Sequence, residues 1–161
     1  MNNALFWNAR GISKASHFRR LKNLVTSYKL QLLVICETHV HVSRAEEYRI
    51  RLGFDCMRFH STGLLWVFYQ APFTCSVTGE GDQFLALKLG HPQLLVSFDV
   101  AAVHAASMVE ARRGLWDGLL RCNPGNQPWI IVGDFNVILE PEEKRGGVSF
   151  GWLKLGTLSS S

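Results

Sequence analysis

The sequence contains three short apolar runs that each lead into polar side chains, and this pattern constrains the fold more than any other feature. The runs occupy residues 4–7, 32–36 and 129–133. Such runs are typical of strands that are buried on both faces of a sheet. The polar residues that follow them are Asn8, Glu37, and the pair Asp134 and Asn136. In α/β proteins, functional sites gather at the ends of such strands, so these residues are the first candidates for a site.

Helical patterns and a block of short strands fill the intervals between the runs. Apolar residues at positions 18, 21, 25 and 28 have helical spacing. Capping-box patterns that start at Ser43 and Ser107 predict two further helices, the first over about residues 44–52. Residues 54–103 are expected to form a largely antiparallel set of strands, because short apolar runs there are broken by Gly, Pro and Asp.

The composition predicts one globular domain with a mild preference for an anionic partner. The 161 residues are 47% apolar and 19% charged, and the formal charge is +4 with a pI near 9.0. Many soluble domains have such a charge without binding nucleic acid, so the charge alone decides nothing. In particular, Arg19, Arg20 and Lys22 are expected to form an ordinary solvated helix face.

The cysteines and the N-terminus are those expected of a soluble, intracellular protein. No two of the four cysteines are closer than nineteen residues, which excludes a CxxC motif and favours reduced, structural thiols. The N-terminal residues lack the basic region and apolar stretch of a secretory signal. No apolar run approaches the roughly 20 residues needed to span a bilayer.

The polar strand ends offer oxygen ligands of the kind that a hard divalent cation prefers. Glu37 and Asp134 could supply carboxylates, and Asn8 and Asn136 could supply neutral hydrogen bonds or ligation. The alternative is that Asn and Asp after a strand only form Asx turns, which is the commoner situation at any single position. Periodicity does not show that the three strand ends meet.

Five segments together resemble a known family. Residues 7–11 (WNARG), 32–38 (LLVICET) and 129–136 (WIIVGDFN) resemble motifs of the endonuclease/exonuclease/phosphatase superfamily. Residues 140–147 (EPEEKRGG) resemble the continuation found in the apurinic/apyrimidinic-like endonuclease domain of plant LINE-type retrotransposons, and residues 112–119 also match that branch. The motifs have the family's order and spacing over residues 4–147.

The resemblance implies a fold and a set of roles. The fold would be the DNase I-like four-layer α/β sandwich, with two mixed sheets face to face and helices outside. Residues 1–150 would form this domain, incomplete at its C-terminus, and residues 151–161 an unstructured or aberrant tail. Glu37 would hold Mg²⁺, or Mn²⁺ as an alternative, with Asn8 close by. Asp134 would align or deprotonate the attacking water and Asn136 would contact the scissile phosphate, giving a nick in DNA.

Three departures from the family pattern put activity in doubt. His104 stands where the family usually has a tyrosine. It could still donate a hydrogen bond to phosphate, or it could merely precede a helix. No Asp-His motif follows residue 147, so we expect a C-terminally truncated, inactive fragment. In the retrotransposon branch, a Ser-Gly-Gly segment usually precedes the strand that corresponds to residues 64–67. Here residues 61–63 (Ser-Thr-Gly) lead directly into that strand, which indicates a small deletion or frame disturbance.

The expected partner is DNA, bound weakly and without sequence preference, with no membrane and no defined protein partner. Arg10, Lys144 and Arg145 lie beside the motif loops and are expected to contact the nucleic acid. By analogy with the family, the location would be nuclear. Two alternatives stay open: a non-catalytic nucleic-acid-binding remnant, and a phosphoesterase of the same superfamily that acts on a phosphoinositide or sphingolipid. His39 and His41 are interpreted as solvated loop residues.

Overall fold

Two four-stranded sheets form the centre of the molecule, whose computed structural model describes residues 3–137. In the first sheet the order is β1-β2-β4-β3, with β1 Asn3–Asn8, β2 Leu30–Cys36, β3 Cys56–Phe59 and β4 Leu65–Tyr69. In the second sheet the order is β5-β6-β7-β8, with β5 Thr74–Gly81, β6 Phe84–Gly90, β7 Phe98–His104 and β8 Trp129–Asp134. The helices are α1 Ala15–Ser27, α2 Ala45–Leu52 and α3 Val109–Arg121.

The sheets pack face to face and the helices cover their outer faces, which confirms the predicted four-layer arrangement. Apolar side chains of both sheets form one inner core, among them Val67 of β4 and Leu87 of β6. Tyr48 of α2 packs on the outer face of the first sheet, and Leu115 of α3 packs on the second. All five residues of β4 are buried, as expected for a strand covered on both faces.

Two parallel strand pairs bring the polar strand ends together. β1 pairs in parallel with β2, and β7 pairs in parallel with β8, so each pair needs a crossover, which α1 and α3 supply. The registers place Asn8 beside Cys36 and His104 beside Asp134. Each pair therefore ends with its polar residues at the same edge of the sheet.

The predicted helices exist, but both predicted capping boxes are wrong. Ser43 lies inside a 3₁₀ turn, Val42–Arg44, where its backbone N–H donates to His41 Nδ1. The N-cap of α2 is Arg44, and that of α3 is Met108; neither makes a side-chain cap hydrogen bond. The Ser43 hydroxyl lies 2.9 Å from His41 Nδ1 instead of capping α2, and Ser107 lies one residue before the N-cap of α3.

β1 and β8 are the outer strands of their sheets on the same side of the molecule. Apolar residues of both strands, including Phe6 and Val132, line a groove of about 200 Å³ between the sheets. Within residues 3–137 no strand covers these two edges. None of the three helices in that range has the length and apolar composition of a membrane-crossing helix.

All four cysteines are free thiols. Burial raises the pKa of Cys75 to about 11. The pKa of Cys36 is about 12, because burial and the nearby charges of Glu37 and Asp134 all disfavour its thiolate. These two cysteines are therefore inert core residues near neutral pH.

Candidate metal centre

The amide of Asn8 joins two carboxylates that belong to different sheets. Its Nδ2 donates to Glu37 Oε1 and to Asp134 Oδ2, each at 2.8 Å. His104 Nε2 lies 3.0 Å from Glu37 Oε1 and donates to it. The result is a continuous polar chain from His104 through Glu37 and Asn8 to Asp134, at the edge where β1, β2, β7 and β8 end.

Asn136 lies at the same edge, but its side-chain amide donates to a backbone carbonyl rather than to a carboxylate. Its backbone N–H donates to Asp134 Oδ1 at 2.9 Å, which is an Asx turn, and its Nδ2 donates to the carbonyl of Ala105 at 2.6 Å. The Asx turn considered for the sequence is therefore present, together with the clustering of the carboxylates. Asn136 here ties the loop after β8 to the loop after β7 rather than contacting Glu37.

The loops around this edge contain most of the unusual backbone of the described chain. Five non-glycine residues have positive φ, and four of them are in these loops: Arg10 (46°), Glu37 (50°), His39 (52°) and Asn136 (47°). A left-handed backbone is unfavourable for side-chain-bearing residues and tends to cluster at functional sites. This concentration supports a functional role for the edge.

Hydrogen bonds and nearby basic groups lower the pKa of both carboxylates. The pKa of Glu37 lies below its ordinary value, chiefly because Asn8 donates to its carboxylate; burial opposes this, and the hydrogen bond and charge of His104 reinforce it. Burial alone would raise the pKa of Asp134. The N–H of Asn136, the amide of Asn8 and the charges of His104 and Arg10 outweigh burial, so this pKa is also lowered.

The donor set fits a hydrated, hard divalent cation better than a tightly caged one. No group of three or more His, Cys, Asp or Glu side chains among the described residues is arranged as a metal cage. Mg²⁺ does not require one, because it is usually held by one or two carboxylates while it keeps several waters. Glu37 Oε1 accepts two hydrogen bonds, which leaves Oε2 as the more open oxygen.

The remaining predicted residues have mixed outcomes. Arg10 lies at this edge, close enough for its charge to affect Asp134. Lys144, Arg145 and the predicted tail 151–161 lie outside the described residues. His39 is 64% exposed, as predicted for a loop residue, but its Nε2 is only 3.9 Å from Glu37 Oε2. His41 accepts the N–H of Ser43 at the 3₁₀ turn.

Arg112 holds the loops of this edge in place, a role that the sequence did not reveal. Its side chain is buried, and Nη1 lies 2.8–2.9 Å from the carbonyl oxygens of Ala106, Ser107 and Asn136. It thereby connects the loop after β7 to the loop after β8. The sequence does place Arg112 three residues before Leu115, so a charged residue lies on the buried stripe of α3. That position was the feature that could have indicated its structural role.

Replacing Arg112 should destabilise the protein because three carbonyls would lose a charged donor. We expect Arg112→Met to lower the free energy of unfolding by about 2–4 kcal/mol, measured by urea denaturation. Arg113→Met, which removes the same charge from the exposed neighbouring position, should change it by less than about 0.5 kcal/mol. Equal losses from the two variants would show that Arg112 has no special structural role.

Comparisons with known proteins agree with this architecture. A family model described as "Endonuclease/Exonuclease/phosphatase family" matches residues 5–157. The endonuclease domain of TRAS1, a telomere-specific non-LTR retrotransposon, is 14% identical with a TM-score of 0.62, over 84% of this chain and 61% of that one. An AP endonuclease from Archaeoglobus fulgidus is 15% identical with a TM-score of 0.65, over 91% and 62%.

A third similar structure, the human Nocturnin catalytic domain, is 19% identical with a TM-score of 0.58, over 83% of this chain and 64% of that one. At these identities the likeness shows the DNase I-like fold alone. The chain spans only about three-fifths of the length of these three structures. A comparison with curated protein sequences gives no match.

Proposed function

Since the chain belongs to the endonuclease/exonuclease/phosphatase family, we propose that it is the metal-dependent DNA-cleaving domain of a LINE-type retrotransposon. One observation carries the proposal: Asn8 bridges Glu37 and Asp134 at the shared edge of two sheets. The plant LINE-type assignment is supported by the motif at residues 140–147, and the TRAS1 endonuclease domain has the same fold.

In this proposal Glu37 would hold Mg²⁺, or Mn²⁺ in its place, and Asn8 fixes the two carboxylates relative to each other. The bound cation would neutralise charge that develops on the phosphate and its leaving oxygen. Asp134, kept ionised by its hydrogen bonds, aligns the attacking water and accepts its proton. His104 orients Glu37 through Nε2. To donate to a phosphate oxygen in place of the family's tyrosine, Nε2 would have to exchange Glu37 for the phosphate.

Two further roles concern the substrate. Asn136 contacts the scissile phosphate in the proposal, which requires its Nδ2 to exchange the carbonyl of Ala105 for a phosphate oxygen. Arg10, Lys144 and Arg145 attract the DNA backbone through charge, without reading its sequence. The partner would therefore be bound weakly and without sequence preference.

We also propose that a polypeptide of these 161 residues does not cleave DNA efficiently. Residues 137–161 contain neither Asp nor His, so they supply no Asp-His pair to act on the phosphate. The second candidate function is a nucleic-acid-binding domain without catalysis, and His104, which stands where the family usually has a tyrosine, favours it. The two candidates differ in whether a divalent cation strengthens DNA binding through Glu37.

The purified chain should therefore show little nicking of supercoiled or abasic plasmid with Mg²⁺, at least about 1,000-fold below a competent enzyme. We also expect Mn²⁺ to tighten the binding of abasic duplex DNA, measured by fluorescence anisotropy, and Glu37→Gln to abolish this effect. Nicking by the unaltered chain that disappears in Glu37→Gln would refute inactivity but support the enzyme class. DNA binding that ignores both the cation and Glu37→Gln would favour the non-catalytic candidate.

A further inference from the structure

The positive charge of the chain is concentrated in its first 36 residues. Six of the seventeen Lys and Arg residues precede Glu37, whereas none of the thirteen Asp and Glu residues does. This segment therefore has a formal charge of +6, and the rest of the chain, with eleven basic and thirteen acidic residues, has a charge of −2. The net charge of the protein thus comes entirely from one segment.

The structure places half of this charge on one exposed helix face. We define the outer α1 face as the solvent-exposed residues of that helix Ser16, Arg19, Arg20, Lys22 and Asn23. The opposite side of the helix, formed by Phe18, Leu21 and Val25, is buried against the first sheet. The outer α1 face therefore faces solvent above the first sheet, whereas the metal centre lies at the ends of the strands.

Helix α2 neutralises its charges locally, which α1 does not. On α2 and the turn before it, Arg44 and Arg51 pair with Glu47, and Arg49 pairs with Glu46. α3 mixes acidic and basic residues along its length. Within residues 3–137 neither Arg19, Arg20 nor Lys22 makes an ion pair, and α1 contains no acidic residue.

The chemistry of the outer α1 face fits a phosphate backbone. Arg, Lys, Ser and Asn are common donors to DNA phosphates and sugars, and all are present on it. The thirteen-residue helix is about 20 Å long, a distance over which one strand of B-DNA presents about six phosphates. An anionic membrane fits less well, because a membrane-surface helix inserts its apolar face, and that of α1 is already buried.

We propose that the outer α1 face is a binding surface for the sugar–phosphate backbone of duplex DNA, separate from the metal centre. This inference replaces the expectation that Arg19, Arg20 and Lys22 are an ordinary solvated face. The surface holds DNA through charge alone, so it has no sequence preference and needs no metal. It can therefore be tested whether or not the metal centre functions as proposed.

The test is a salt titration of a labelled 20-bp duplex by fluorescence anisotropy, from about 50 to 200 mM salt with EDTA present. The plot of log K against log salt has a negative slope, and Arg19→Gln/Arg20→Gln should make it less steep by about 1.8, which is about 0.9 for each lost phosphate contact. Arg19→Lys/Arg20→Lys, which keeps the charge, should retain most of the slope. The matched control is Arg113→Gln/Arg121→Gln on α3, which removes the same charge and should alter the slope little.

Equal reductions from both Gln double variants would mean diffuse attraction by net charge and would overturn the proposal. So would an unchanged slope in Arg19→Gln/Arg20→Gln with its circular dichroism spectrum preserved. Vesicles that contain phosphatidylserine provide the test of a different partner. Binding to them that exceeds DNA binding and is lost in Arg19→Gln/Arg20→Gln would assign the surface to a membrane instead.

Discussion

Gly133→Ala should destabilise the protein severely, although alanine adds only one methyl group. Gly133 lies on β8 and pairs with Val103 of β7. A β-carbon at this position would collide with the carbonyl group of Val103, and even the amide nitrogen of Val103 would be only 2.8 Å away. Backbone atoms in a paired strand cannot move aside, so β8 would have to separate from β7.

We expect Gly133→Ala to lower the free energy of unfolding by at least about 3 kcal/mol, a large part of the 5–15 kcal/mol that is typical of a domain. The measurement is urea denaturation followed by circular dichroism. Gly114→Ala is the matched control: it is inside α3, and no atom other than those of its chain neighbours and the surrounding helix backbone lies within 4 Å of its β-carbon. Alanine should therefore stabilise the protein there by about 0.5–1 kcal/mol.

The two glycine variants should change stability in opposite directions, which separates strand contact from a general effect of added side chains. A loss of less than about 1 kcal/mol for Gly133→Ala would mean that β7 and β8 do not pair as closely as described. Because Asp134 follows Gly133, the same displacement should also disturb the carboxylate that Asn8 holds.

Apolar patterning predicted where the strands lie, but two of the three strands are less buried than expected. β1 and β8 are outer strands without a fully buried residue, and Ile130 and Ile131 of β8 are exposed. The runs at residues 4–7, 32–36 and 129–133 all lie in strands, and the helix expected at about residues 44–52 is α2 at Ala45–Leu52. Helix caps could not be predicted as well, since a cap depends on competing partners. Ser43, for example, bonds to His41 rather than to the helix end.

The contacts within the site depend on distances across the fold, which local sequence does not contain. Asn8 and Asp134 are 126 residues apart, and only the packing of two sheets brings them together. His104 was expected either to face phosphate or merely to precede a helix, and it instead contacts Glu37. The amide of Asn136 contacts the carbonyl of Ala105, which no motif encodes.

The second large effect concerns binding of a divalent cation. Glu37 and Asp134 place two ionised carboxylates on either side of the Asn8 amide, and their lowered pKa values keep both charges at neutral pH. Mn²⁺ has ligand preferences close to those of Mg²⁺, since both favour carboxylate and water oxygens. One Mn²⁺ should therefore bind per chain and be displaced by Mg²⁺.

Loss of either carboxylate should weaken this binding at least about tenfold, since even disturbing the groups around a metal ligand costs 10- to 100-fold. The test variants are Glu37→Gln and Asp134→Asn, which keep the shape of the side chain and remove its charge. Glu46→Gln on α2 and Asp117→Asn on α3 make the same chemical changes at exposed positions outside the residues that form the site. They should bind Mn²⁺ within about twofold of the unaltered chain.

The decisive measurement is a titration of Mn²⁺ followed by electron paramagnetic resonance, because this method counts the free ion and does not depend on catalysis. We expect a single Mg²⁺-displaceable site that Glu37→Gln and Asp134→Asn each weaken and the two control variants preserve. Absence of a stoichiometric site in the folded chain, or a site that both Glu37→Gln and Asp134→Asn leave unchanged, would show that these carboxylates do not form a metal centre.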